Sequence, residues 1–262
     1  FGILNGIDTE LYDPATDPNI AVHFDATNIE ARAANKAALQ AEAKLAQHPE
    51  MPIVSIVGRL IDQKGFDLIN AIADPLLRHN GCQLVVMGTG EMRYHEMLNA
   101  LAARYPERVA VFLTFTRPLE QRIYAGSDIF LMPSRFEPCG LNQMVAMRYG
   151  AVPVVHRVGG LADSVSDYTP ETGEGHGFDF ATYDAMALYT ALIRALETYR
   201  HRDIWRQLVR RCMAVDFSWR RSAVKYVDLY HRALTIKSQS QKTLADYALG
   251  PQAAARRAAD AA

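Results

Sequence analysis

An α/β fold built on a parallel sheet is what this sequence predicts, and two patterns carry the prediction. From Met51 onward, short apolar or β-branched runs alternate with longer stretches of helical period, as in repeated strand–helix–strand units. The runs are also almost continuously apolar, which requires helices on both faces of the sheet. With 262 residues, 49% of them hydrophobic, the chain can bury one substantial core or two small ones.

The strands are expected at IVSIV from Ile53, QLVVM from Gln83, RVAVFL from Arg108, DIFLM from Asp128 and AVPVV from Ala151, with a weaker sixth at GFDF from Gly177. Helices are expected at about Gly65–Arg78, Met92–Tyr105, Leu119–Gly126 and Leu141–Tyr149, and over most of Asp184 to Leu234. Residues 51–234 therefore read as one Rossmann-like domain. Ahead of it, residues 1–50 should supply a hinge strand, GILNGID, and one long Ala/Glu/Lys-rich helix over Asp25–Gln47. The Ala-rich tail, residues 235–262, reads as helical or disordered. The start has no initiator Met and resembles mid-protein sequence, as an excised fragment would.

Charge and cysteine usage exclude several classes. The formal charge is −1 with 22% charged residues, giving no field for nucleic-acid binding. Cys82, Cys139 and Cys212 are widely spaced and form no CxxC, against a disulfide framework or zinc site and in favour of a reducing compartment. No apolar run approaches the roughly 20 residues of a spanning helix, so no membrane partner is expected.

In an open parallel sheet, ligands lie beyond the carboxyl ends of the strands, so the loops there are the candidate site. After the first strand, GRLIDQKG presents Arg59 and Lys64 beside a helix start; the pair is either a diphosphate clamp or two solvated surface cations. After the second, Gly88 and Gly90 of GTGE permit close approach to a ligand or simply a tight turn. After the third, Phe115 is a nucleobase platform or a core aromatic. The fourth loop, PSRFEPCGL, is the most informative. It sets Glu137 ahead of Cys139, Gly140 and Leu141 at a helix entry, where two backbone amides suit a phosphate and the carboxylate suits sugar hydroxyls or a developing positive charge. Glu137 as a plain helix-start partner is the alternative. The glycine turn of HRVGGLADSV, from His156, would close over the same ligand.

GILNGID, GRL..QKG, GTGE, PSRFEPCGL and GGLADSV, in this order and spacing over about residues 1–234, resemble the C-terminal domain of bacterial glycogen synthases and plant starch synthases. The resemblance implies the C-terminal half of a GT-B fold and a retaining glucosyltransferase. Its donor would be ADP-glucose, with ADP as bound product, and its acceptor an α-1,4-glucan, with neither cofactor nor metal. By motif, Arg59 and Lys64 would neutralise the leaving diphosphate, Glu137 would hold the glucosyl ring, and Gly140 and Leu141 would bind phosphate. Phe115, commonly Tyr in the family, would stack on adenine, and Asn5 would reach the donor site from the hinge. The compartment implied is the cytoplasm of a bacterium or the plastid of a plant or alga.

Three departures bear on these expectations. The ribose-contacting glutamate of many GT-B relatives, eight residues beyond Glu137, is Val145 here. Asn142 replaces the usual Thr, and the family's N-terminal domain, with its Lys-Thr-Gly-Gly-Leu loop, is not in this sequence. Two other functions stand beside the main reading: a UDP-glucose-dependent GT-B synthase with another acceptor, and a non-catalytic nucleotide-binding module.

Overall fold

The computed structural model describes residues 2–260, with side chains through Gln241. Six strands form one sheet: β1 Ile53–Val57, β2 Gln83–Met87, β3 Val109–Phe112, β4 Ile129–Met132, β5 Val152–His156 and β6 Phe178–Phe180. Their order is β3-β2-β1-β4-β5-β6, and every pairing is parallel. Strand order reverses between β1 and β4, which is where a ligand crevice opens. β1, β2, β4, β5 and β6 are buried throughout, and only the edge strand β3 is half exposed at its end. All six strands lie within two residues of where the sequence placed them, because uninterrupted apolar runs are the surest sign of a doubly covered sheet.

Two helical layers cover it. One contains α1 Arg32–Glu42, α4 Arg117–Gly126, α5 Asn142–Arg148 and α8 Arg202–Ala214; the other contains α2 Phe66–His79, α3 Met92–Arg104 and α7 Ala185–Arg200. The short α6, Gly159–Ser164, packs on β5. α9 runs unbroken over Trp219–Asp260, so the chain is helical across Leu234 and through the described part of the tail; the last two tail positions lie outside the described residues, as does position 1. Among the described residues no helix is long and apolar enough to cross a membrane.

Two expectations for the first 50 residues need correction. The long helix over Asp25–Gln47 is only α1, preceded by a 3-10 turn at Ile29–Ala31. Side-chain turns displace its start, since Asp25 Oδ1 accepts from the Thr27 amide at 2.7 Å and Asn28 Oδ1 from the Asp25 amide at 2.6 Å. Its end is a left-handed cap: Lys44 has φ 55° and the Leu45 amide reaches back to Gln40 O at 2.8 Å. The hinge strand is likewise absent among the described residues. Ile7 makes only an isolated bridge to Ser218, with its amide on Phe217 O at 2.8 Å, because the surface it meets is the α8–α9 connection and not a strand edge.

α1 braces the end of the sheet away from the candidate loops. Lys36 Nζ meets Asp128 Oδ2 at 2.8 Å, and the same oxygen accepts the Ile53 amide at 2.9 Å, joining α1 to the starts of β4 and β1. Arg32 donates to the carbonyls of Tyr149 and Ser127, which follow α5 and α4, so the negative ends of two helices offset its buried charge.

Gly65 shows how tightly the other end is built. It has φ 78°, and a Cβ there would lie 2.2 Å from Pro133 O. Gly65→Ala should lower stability by roughly 2–4 kcal/mol in urea titrations, whereas Gly81→Ala, in open space, should change it by less than about 0.5 kcal/mol. Burial also depresses the His176 imidazole below its ordinary 6.5, and its Nδ1 has no partner among the described residues. The unfolded chain thus takes up a proton first: the stability tied to this group is fully present above pH 6.5 and falls as pH drops below it. A His176→Gln variant should show a flatter stability profile from pH 7 to 5.

Candidate functional site

The loop after β1 and the loop after β4 are joined along their length. The Arg135 amide donates to Gln63 O at 2.9 Å, Gln63 Nε2 to Phe136 O at 3.3 Å, and Gly65 lies flat against Pro133. Lys64 Nζ and Glu137 Oε2 meet at 2.5 Å, with 20% and 10% of their side chains exposed, and Ser134 Oγ donates to the same carboxylate oxygen at 3.3 Å. This pair stands at the β1/β4 switch point. A carboxylate and an ammonium held together here can exchange each other for a diphosphate and a hydroxyl without leaving either charge unpartnered.

From the other side, the turn after β5 fixes the Glu137 backbone. The Gly160 amide donates to Glu137 O at 3.0 Å, and Cβ atoms on Gly159 and Gly160 would lie 2.2 Å from Glu137 O and 2.1 Å from Cys139 O. His156, buried and stacked on Phe180, bonds through Nδ1 to Ser134 O at 2.8 Å. The Asn5 amide donates to the Cys139 sulfur at 3.4 Å, so the N-terminal segment lies against this loop.

The other sequence-derived positions lie on the remaining strand-end loops and at the start of α5. Arg59 is exposed and bonds through Nη2 to Gln63 Oε1 at 3.2 Å. Gly88 and Gly90 have a reason internal to the fold: added Cβ atoms would lie 1.8 Å from Gly58 O and 2.3 Å from Leu60 O, and the Gly90 amide is taken by His95 Nε2 at 3.1 Å. Phe115 is 56% exposed at the far edge of the sheet, so it is no core residue. Gly140 has φ 71°, and neither its amide nor that of the exposed Leu141 finds an acceptor among the described residues. Asn142 donates to Val57 O at 2.9 Å, tying α5 to the end of β1, while Val145 is on the buried face of α5.

Sequence reasoning missed the supports. Arg135 lies 4.3 Å over the Tyr183 ring and bonds Asp67 at 2.9 Å, while Tyr183 OH donates to Asp67 at 2.6 Å. Burial and the Asp67 carboxylate push the Tyr183 phenol well above its ordinary range, so it stays a donor at any working pH. Gln63 was legible as a loop residue of QKG, yet its contacts to the distant fourth loop have no local signal.

Comparison with known proteins defines the class. Residues 40–211 match the family of glycosyl transferases group 1, and the chain belongs to that family. It is 49% identical over 234 residues to the glycogen synthase of Kosmotoga olearia and 49% identical over 229 residues to that of Gloeobacter violaceus, covering 89% and 87% of this chain. The catalytic domain of starch synthase IV from Arabidopsis thaliana, solved bound to ADP and acarbose, superposes with a TM-score of 0.83 at 37% identity over 90% of this chain and 49% of that one. The chain spans about half the length of the curated relatives, 49% and 50% of these two synthases.

The Lys64–Glu137 contact is measurable by itself. A double-mutant cycle of Lys64→Met and Glu137→Gln, read by urea denaturation, should give a coupling of about 1–3 kcal/mol, because each single change leaves a largely buried partner uncompensated.

Proposed function

We propose that this chain is the donor-binding half of a retaining glucosyltransferase that moves glucose from ADP-glucose to the non-reducing end of an α-1,4-glucan. The observation that carries the reading is the order of loops along the sheet. Phe115 follows β3, Gly88–Glu91 follow β2, Arg59 and Lys64 follow β1, and Glu137 to Leu141 follow β4. Neighbouring strands lie about 4.8 Å apart, so β3 and β4 are about 14 Å apart, on the scale of an extended nucleotide sugar. Base, diphosphate and sugar would then fall in turn on an aromatic face, two cations and a carboxylate.

Arg59 and Lys64 would take up charge as ADP leaves, a contribution that needs no metal. Glu137 would accept from glucosyl hydroxyls and favour positive charge at the reacting carbon. Gly140 and Leu141 amides would receive a phosphate oxygen, Cys139 and Asn5 would line the sugar side, and Gly88 and Gly90 would bring backbone close to the nucleotide. Neither a cofactor nor a metal enters this scheme. The glucan and the opposite cleft wall would belong to the other half of the longer relatives, and the compartment would be a bacterial cytoplasm or a plastid.

Isothermal titration should therefore find ADP binding to this chain that weakens with salt, and Arg59→Ala should reduce it at least about tenfold. UDP should bind more weakly than ADP; a preference for UDP would favour the UDP-glucose reading. Because catalysis needs a water-excluded cleft between two domains, the chain alone should not incorporate glucose from ADP-glucose into glycogen. Robust incorporation would contradict the division of labour proposed here.

A further inference from the structure

Gln63, in the loop after β1, bonds both within that loop and to the loop after β4. Its Oε1 accepts from Arg59 Nη2 at 3.2 Å, its Nε2 donates to Phe136 O at 3.3 Å, and its own carbonyl accepts the Arg135 amide at 2.9 Å. The first contact is the hydrogen bond that orients the exposed Arg59 guanidinium. The other two grip the residues immediately before Glu137, whose carboxylate is meanwhile held by Lys64, the next residue along from Gln63.

We propose that Gln63 is a positioning residue that sets the spacing between the diphosphate and glucosyl subsites by fixing Arg59 and the Glu137 loop to one side chain. The proposal rests on the donor reading above. An amide suits both contacts, since it accepts from a cation and donates to a carbonyl while carrying no charge. A carboxylate at this position would compete with the diphosphate for Arg59 and face the Phe136 carbonyl with no proton to donate. A lysine could not accept from Arg59 at all.

A role limited to folding the loop is separable, because it would not depend on Arg59. ADP affinity should be measured for the chain, for Gln63→Ala, for Arg59→Ala and for the double variant. Gln63→Ala should weaken ADP about five- to tenfold, and the same change made on Arg59→Ala should cost less than about twofold further. Gln63→Glu should bind more weakly than Gln63→Ala. An affinity within twofold of the parent for Gln63→Ala, or an undiminished effect in the Arg59→Ala background, overturns the proposal.

A second measurement needs no nucleotide. In the ADP-free chain, nitrogen relaxation of the Arg59 Nε–H group should show lost order in Gln63→Ala, and the Phe136 carbonyl carbon shift should move as that oxygen loses its donor. If the parent chain binds no ADP, the donor reading fails, and this measurement alone decides: unchanged Arg59 order with an unchanged Phe136 carbonyl shift overturns the positioning role.

Discussion

The contact between Lys64 and Glu137 depends on two loops from strands adjacent in the sheet but far apart in sequence, closed on each other by backbone. Residues 63, 64 and 65 each meet the β4 loop: an amide bond to Gln63 O, the ion pair, and the bare face of Gly65 on Pro133. Largely buried charges are tolerated when both are paired and hydrogen-bonded, and Ser134 supplies the extra donor. The Gly159–Gly160 turn then holds Glu137 from behind, so the carboxylate is fixed before any ligand arrives.

The chemistry follows from strand order. With β1 central and connections running outward in both directions, the loops after β1 and β4 meet at the switch point, and the loops after β2 and β3 form a wall beside them. The glycines of GTGE make that wall continuous by letting it lie against Gly58–Leu60, with the Leu60 amide on Thr89 O at 2.9 Å and the Glu91 amide on Leu60 O at 2.9 Å. Phe115 stands exposed at the end of the row, a placement without value to the core. The opposite end of the sheet is closed by α1 through Lys36, Asp128 and Arg32, and these charges serve the fold.

The sheet was legible because buried parallel strands write themselves as unbroken apolar runs. The first 50 residues were not, because Ala-rich composition favours helix over Asp25–Gln47 while Asp25, Asn28 and Lys44 impose turns that only their own hydrogen bonds reveal. Within the site, Arg59, Lys64 and Glu137 stood out as charges in strand-end loops. Gln63, His156, Asp67 and Tyr183 did not, because each acts through a partner distant in sequence, and a buried His or an ordinary helix Asp carries no local mark of that role.

In the proposed donor complex, a nucleotide sugar lies across the strand ends in the order β3, β1, β4. Amide and side-chain chemical-shift changes of the chain titrated with AMP, ADP and ADP-glucose test it most directly. AMP should perturb Phe115, ADP should add Arg59 and the Lys64–Glu137 pair, and ADP-glucose should move Glu137 further. Perturbation of Glu137 by AMP with Phe115 unmoved, or one identical set of residues for all three ligands, would contradict it.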